Sequence, residues 1–428
     1  MIFNFKNLGI IEEANIELNG LTVITGLNDT GKSFLSKSIY SIIKTIREAK
    51  DQELSNKADA FEQGLRPLLV LVKQFNSSPM EQMVLSFRIE LLNSLLRKLP
   101  NDVILSMVSN LKAGLLSSLD TNNLQSHSPS LNSIFSQIEN LLTQELEVDK
   151  MYIQYFDRMI IQQLFRSQIN TLGKNTDLLI SCLDKDGEIL RANIKNNKTI
   201  NIKLNNPFYY QNATLIDTPI ILQLAFFIRQ SRVRPSYLNR KSDDGLPSYY
   251  LDLVYKLATP TIKTELPEEF KSIESLIGGK FIFKEKSDNF VFQKNNGDEI
   301  ESMNTASGIK SFGLIQLLMA SSEINSRTLL IIDEPEVHLH PKWEIEYAKI
   351  IVGLAAAGIP IVISSHSPYL LHAINVYIKE FKIEDKSKFY FGEKTDGGAL
   401  TKFRDVTANL NPIFKLLSEP MRDLFIEG

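Results

Sequence analysis

The segment that most constrains this chain is Gly26-Leu27-Asn28-Asp29-Thr30-Gly31-Lys32-Ser33. It fits G-x-x-x-x-G-K-[ST], and its setting matters as much as its letters. Residues 21–25 form a short apolar run that reads as a strand. After the loop, Leu35, Ile39, Ile42, Ile43 and Ile46 recur at helical spacing. A glycine loop between a strand and a helix lets the backbone close around an anion, with N–H groups pointing inward at the helix N-terminus. The pattern places Asn28, Asp29, Thr30, Gly31, Lys32 and Ser33 around the phosphates of a nucleotide. Lys32 is expected to reach the β- and γ-phosphates, and Ser33 to ligate Mg2+. The alternative is a chance glycine loop, and the flanking strand and helix weigh against it.

A second motif supplies what the first lacks. Leu329-Leu330-Ile331-Ile332-Asp333-Glu334 is an apolar strand ending in two carboxylates. Asp333 is placed to hold the Mg2+ shell, and Glu334 to orient or deprotonate an attacking water. The two motifs are separated by most of the chain, which predicts an insertion between them. A third apolar run, 359–365, leads into Ser364-Ser365-His366-Ser367-Pro368. A lone histidine after a strand is more often structural than catalytic, but here it is the third motif in a fixed order.

Together these segments carry a resemblance. Asp333-Glu334-Pro335-Glu336-Val337-His338-Leu339-His340-Pro341 resembles the D-E-P-E-x-x-L-H-P segment of ABC-type ATPases of the RecF, SMC and OLD group, and Ser364–Pro368 resembles their T/S-H-S-P segment. The resemblance covers about residues 1–50 and 176–372. It implies an α/β fold, the ABC-type P-loop ATPase head, with a mostly parallel core sheet, an antiparallel β subdomain and a helical insertion. It implies ATP and Mg2+ as cofactors, Glu334 and His366 as catalytic residues with His366 sensing the γ-phosphate, and Val337 to His340 as a loop crossing to a partner subunit. It also implies closure of two heads. Thr305-Ala306-Ser307-Gly308-Ile309-Lys310 stands where the signature segment of one head meets the nucleotide of the other, making Ser307, Gly308 and Lys310 phosphate contacts. The match departs from L-S-G-G-Q at Ala306 and Ile309, which puts fast hydrolysis in doubt, and an ordinary turn before a helix is the alternative. Gln211 is a weak candidate for the glutamine loop and equally a surface residue.

The rest of the chain supplies organisation. Residues 2–6 and 13–18 read as further strands, with Asn19-Gly20 expected to close a hairpin between 13–18 and 21–25. Residues 51–175 read as a helical insertion, with Val84, Phe87, Leu91 and Leu95 marking one helix and Ile134, Ile138, Leu141 and Leu142 another. Thr121-Asn122-Asn123 and the Ser-rich 126–133 read as a loop between them. No heptads are sustained, so a long coiled-coil arm is not expected. Strands are expected within 176–204, with a turn at Lys185-Asp186-Gly187, and at 213–217, 388–392 and 400–404, with a short helix near 412–426. The expected domains are 1–50 and 176–428 for the head and 51–175 for the insertion.

Composition narrows the function. Hydrophobic residues make up 43% and charged residues 23%, with a net charge of −3. That suits a sizeable core and argues against a chain that coats nucleic acid all over. Arg229, Arg232, Arg234, Arg240 and Lys241 cluster with Phe227 and Tyr237. They read as a nucleic-acid groove or, since Asp243 and Asp244 follow at once, as a solvated flank. One cysteine, Cys182, excludes an internal disulfide and fits a cytoplasmic protein. No signal peptide or membrane-spanning run stands out. The OLD nucleases carry a Toprim domain needing a glutamate and a D-x-D pair, and no D-x-D follows His372. The expectation is an ATPase that is not itself a nuclease, resembling the ATPase subunits of Septu-type and retron-associated anti-phage systems. Its expected partners are a second copy of itself and a separately encoded effector such as an HNH nuclease or toxin. The alternatives are a RecF-like DNA-repair ATPase, with nucleic acid as partner, and a scaffold that binds ATP without turnover.

Overall fold

The computed structural model describes residues 1–74, 77–96, 101–119, 121–143, 148–164, 169, 177–205, 209–230, 247–259, 268–321 and 323–417. The chain opens with β1 (Ile2–Leu8), β2 (Ile11–Glu17) and β3 (Leu21–Gly26), followed by the 43-residue helix α1 (Lys32–Gln74). Helices α2 (Ser78–Leu96), α3 (Asn101–Ser117), α4 (Thr121–Thr143) and α5 (Val148–Phe156) come next. Then follow β4 (Leu178–Asp184), β5 (Gly187–Lys195), β6 (Lys198–Leu204), β7 (Asn212–Ile216), α6 (Ile221–Gln230), α7 (Ser248–Leu257) and α8 (Glu268–Ile277). The remainder is β8 (Gly279–Lys284), β9 (Asn289–Lys294), β10 (Glu299–Glu301), α9 (Ser307–Ala320), β11 (Thr328–Asp333), α10 (Pro341–Ala356), β12 (Ile361–Ser365), α11 (Pro368–Glu380), β13 (Ser387–Thr395) and β14 (Leu400–Asp405).

Contacts divide the chain into two compact units, Met1–Ile46 with Tyr152–Gly428, and Arg47–Met151. The first is built on an 11-stranded sheet in the order β6-β5-β4-β1-β2-β14-β13-β3-β12-β11-β7. Strands β3, β7, β11 and β12 are buried along their whole length. Strands buried on both faces belong in a parallel sheet covered by helices, and β13-β3-β12-β11-β7 is parallel throughout. Strands β6-β5-β4-β1-β2 are antiparallel. This antiparallel part continues the same sheet, joined through the parallel β2–β14 pairing. A separate antiparallel sheet, β10-β9-β8, contributes Phe281, Phe290 and Phe292 to the core around Phe312.

Two expectations are corrected. Asn19-Gly20 does not close a hairpin. β2 pairs with β1 and β14, while β3 pairs with β12 and β13. The bend is tied to distant backbone instead. The Asn19 amide donates to the Asp385 carbonyl at 3.0 Å, and Ile361 N donates to Gly20 O at 2.7 Å. Both neighbours of β3 run parallel to it, and a tight turn joins only antiparallel strands. Residues 121–133, expected as a loop, lie within α4. Its stripe of Leu131, Phe135 and Ile138 packs into the core of the second unit, and that burial outweighs the poor helix propensity of Asn, Ser and Pro129. The same core takes Phe61, Leu65, Leu68 and Val72 from α1, Val84, Phe87 and Leu91 from α2, and Ile104, Val108, Leu111 and Leu115 from α3, each set at helical spacing.

Candidate nucleotide site

The glycine loop spans the gap between β3 and α1. Its glycines are required by contact as well as by backbone angle. A Cβ at Gly26 would lie 2.9 Å from the Thr30 hydroxyl and 3.1 Å from the Gly392 carbonyl, and one at Gly31 (φ +87) would lie 2.9 Å from Ile11. Thr30 donates its hydroxyl to Leu27 O at 2.8 Å. Asp29, a non-glycine at φ 58, is held from outside the motif: Lys394 on β13 donates to its carbonyl and lies 3.2 Å from its Oδ2. Asn28 and Asp29 are exposed and Ser33 is half-buried. Lys32 is 4% exposed. Its Nζ donates to Gly26 O at 3.1 Å and Leu27 O at 3.0 Å, and stands 3.5 Å from Glu334 Oε1.

The two acids end β11. Asp333 sits beside Ser364 of β12 in the sheet, and the Ser364 hydroxyl donates to its carboxylate. Burial raises the Asp333 carboxyl, opposed by hydrogen bonds from Ser364 and Ser33 and by the charge of Lys37. Glu334 adopts the left-handed conformation, φ 47 and ψ 56, which costs a non-glycine residue about 1–2 kcal/mol. That turn takes the chain from the strand into the 3-10 turn Pro335–His338. Glu334 Oε1 lies 3.4 Å from His366 Nδ1. His366 lowers the Glu334 carboxyl most, and with Lys32 outweighs burial. The same pairing raises the His366 imidazole against its own burial, with Glu336 adding to the rise.

The structure thus brings Lys32, Ser33, Asp333, Glu334 and His366 together at the C-terminal ends of β3, β11 and β12. The donor set suits Mg2+: a serine hydroxyl and a buried carboxylate, both hard oxygens, close enough that Ser33 lowers the Asp333 carboxyl. Gln211 precedes the opposite end of β7 from the acids, with its N–H bonded to Arg327 O. The residue at the acid end of β7 is Asp217. It pairs with Lys37 at 3.4 Å and accepts from Tyr249 at 2.7 Å and Tyr250 at 3.3 Å. Nothing in the local sequence around Asp217 signals this, because its partners come from α1 and α7.

Ser307, Gly308 and Lys310 begin α9, beside the 335–338 turn. A Cβ at Gly308 would lie 3.0 Å from Trp343. Lys310 is 1% exposed, and burial pulls its amine down. Of the three, Ser307 alone keeps its side chain partly at the surface. Of the basic cluster, Arg229 pairs with Asp288 at 2.6 Å and stacks on Phe283. Arg232, Arg234, Tyr237, Arg240, Lys241, Asp243 and Asp244 lie outside the described residues. No helix among the described residues is long and apolar enough to cross a membrane.

A mixed sheet with a glycine loop after one buried strand, paired acids after a second and a histidine after a third is a P-loop ATPase fold. Residues 185–372 match the family model described as "AAA domain, putative AbiEii toxin, Type IV TA system". The chain therefore carries an AAA-type P-loop ATPase domain. No protein of curated function matches it in sequence. Similar solved structures include the SMC head domain from Thermotoga maritima, at 9% identity and TM-score 0.41 over 95% of this chain and 98% of that one. An Smc head with an extended coiled coil from Pyrococcus furiosus, bound to the C-terminal domain of ScpA, matches at 10% identity and TM-score 0.41 over 98% of each chain. An Smc head with a coiled coil and joint from Pyrococcus yayanosii matches at 9% identity and TM-score 0.38, over 98% of this chain and 99% of that one.

Proposed function

We propose that the chain binds ATP with Mg2+ at this site and hydrolyses it slowly. One observation carries the reading: Lys32, Ser33, Asp333, Glu334 and His366, drawn from three separate motifs, converge on one strand-end cleft. In this reading Lys32 exchanges its loop carbonyls for phosphate oxygens. Ser33 and Asp333 hold the metal, which when bound neutralises charge on the phosphates. Glu334, kept ionised by His366 and Lys32, takes or orients the proton of the attacking water. His366 reports the γ-phosphate to α11. Slow turnover follows from the departures at Ala306 and Ile309 and from the burial of Lys310.

We further infer that two heads close on ATP and that the chain regulates a separately encoded effector, a nuclease or toxin, in anti-phage defence. Support comes from the D-E-P-E-x-x-L-H-P resemblance and from the toxin–antitoxin wording of the matching family. The test is ATP titration and phosphate release by the purified chain, then a pull-down with the product of a neighbouring gene with and without ATP. Lys32→Ala should weaken ATP binding at least tenfold, about 1.4 kcal/mol. Unchanged affinity in Lys32→Ala would remove the loop from the site. Metal-dependent DNA or RNA cleavage by the chain alone, lost on a change outside the ATP site, would overturn the effector reading.

A further inference from the structure

We propose that Glu336 is a positioning residue, which holds the His366 imidazole against Glu334 by gripping the backbone that carries it. The proposal rests on the roles given above to Glu334 and His366.

Glu336 lies two residues beyond Glu334, in the same 3-10 turn, and its side chain is 6% exposed. Its Oε1 accepts three hydrogen bonds: from Ser365 Oγ at 2.7 Å, from His366 N at 2.8 Å and from Ser367 N at 3.3 Å. These donors are consecutive residues of the turn between β12 and α11. The same oxygen stands 3.4 Å from His366 Nδ1, the distance at which that nitrogen also meets Glu334. The imidazole nitrogen therefore stands at ion-pair distance from two carboxylates, without a hydrogen bond to either, and only one of them also holds the main chain beneath the ring.

A buried carboxylate is expensive unless its oxygens are hydrogen-bonded, by several kcal/mol before compensation. Glu336 is compensated on one side only. Its Oε2 is buried with no hydrogen-bond partner among the described residues. A turn that needed capping alone would be served by Ser or Asn without that cost. What a carboxylate adds is a fixed negative charge beside His366. A second grip reinforces the first. Glu344, in the first turn of α10, accepts from the Ser367 hydroxyl, which also caps α11 by accepting from Leu370 N at 3.4 Å. The histidine turn is thus held by acids placed before and after residues 337–340.

The experiment uses the full chain and the variants Glu336→Gln, Glu336→Ala, His366→Ala and Glu336→Gln with His366→Ala. Glu336→Gln keeps the volume and one acceptor oxygen, so it should fold and bind ATP within about twofold of the parent. Its kcat should fall about tenfold with KM little changed, the signature of a group acting in the transition state rather than in binding. The double variant should be no slower than His366→Ala, since Glu336 acts through that ring. Independently of turnover, backbone amide exchange in the nucleotide-free protein should speed up at 366 and 367 in Glu336→Ala while β11 stays protected. A parental kcat in Glu336→Gln, multiplicative losses in the double variant, or unchanged exchange at 366 and 367 overturns the proposal. A parent chain without ATP turnover defeats the reading of the site, and amide exchange then decides the role of Glu336 alone.

Discussion

Glu334 is the residue on which most of the site turns. Its backbone is left-handed, its carboxyl is lowered, and Lys32 and His366 stand beside it, as the proposed handling of the attacking water requires. Glu334→Gln keeps the shape and the hydrogen-bonding reach but cannot take a proton. It should hold ATP tightly, show near-zero turnover and accumulate as a closed dimer by size-exclusion chromatography. Normal phosphate release by this variant would show that another group handles the water. Single residues of this kind were legible in the sequence because their motifs are local: eight consecutive positions define the loop, and nine define the acids. The contacts of Lys394, Asp217 and Glu336 were not. Lys394 meets Asp29 across 365 positions of chain, and Glu336 meets His366 across 30, and no spacing rule connects them.

At the scale of elements, the helix that follows the glycine loop is fastened to α7 by charge. Lys37, Tyr40 and Lys44 line one face of α1, and Tyr249, Asp252 and Lys256 line one face of α7, each at helical spacing. Asp252 joins them: Lys44 Nζ is 2.7 Å away, Lys256 Nζ 2.8 Å, and the Tyr40 hydroxyl donates at 3.2 Å. Burial alone would raise the Asp252 carboxyl, but Lys256 and Lys44 outweigh it and bring it down to about 2. A folded value below the unfolded one stabilises the fold at higher pH. The contribution, on the order of 2 kcal/mol, is complete above about pH 4 and is lost as pH falls toward 2. Asp252→Asn should leave two buried ammonium groups uncompensated and cost about 3–5 kcal/mol at neutral pH. Urea unfolding of parent and variant between pH 7 and 3 checks both effects; a variant as stable as the parent at pH 7 would show that the pair carries no net weight. None of this was readable beforehand, since α7 gave no motif. The buried strands were readable, because runs such as Leu329–Asp333 can sit only in a covered sheet. Their neighbours were not, as the mistaken β2–β3 hairpin shows.

For the whole molecule, the expectation is a composite site. Ser307 begins α9 beside the 335–338 turn and is partly exposed, so in the proposed closure it would meet the nucleotide of a second head. Mixing Lys32→Ala subunits with Ser307→Arg subunits should restore part of the turnover that each lacks alone, because half the sites in a mixed dimer would carry neither lesion. Phosphate release against mixing ratio measures this. Full activity from a strictly monomeric protein would rule out such closure.

The pairing of β3 also sets a timetable. Residues 21–26 leave the ribosome long before either of the strands that flank them, 361–365 and 387–395. At about 5–20 residues per second, roughly 20–70 s separate the first strand from its neighbours. During that interval the glycine loop has its sequence but no sheet to hang from, and Asp29 has no Lys394 to hold it. Nucleotide affinity should therefore be absent from nascent chains stalled before residue 387 has emerged, and should appear in one step once 395 is clear. Fluorescent ATP analogue binding to a series of arrested chains would time that step.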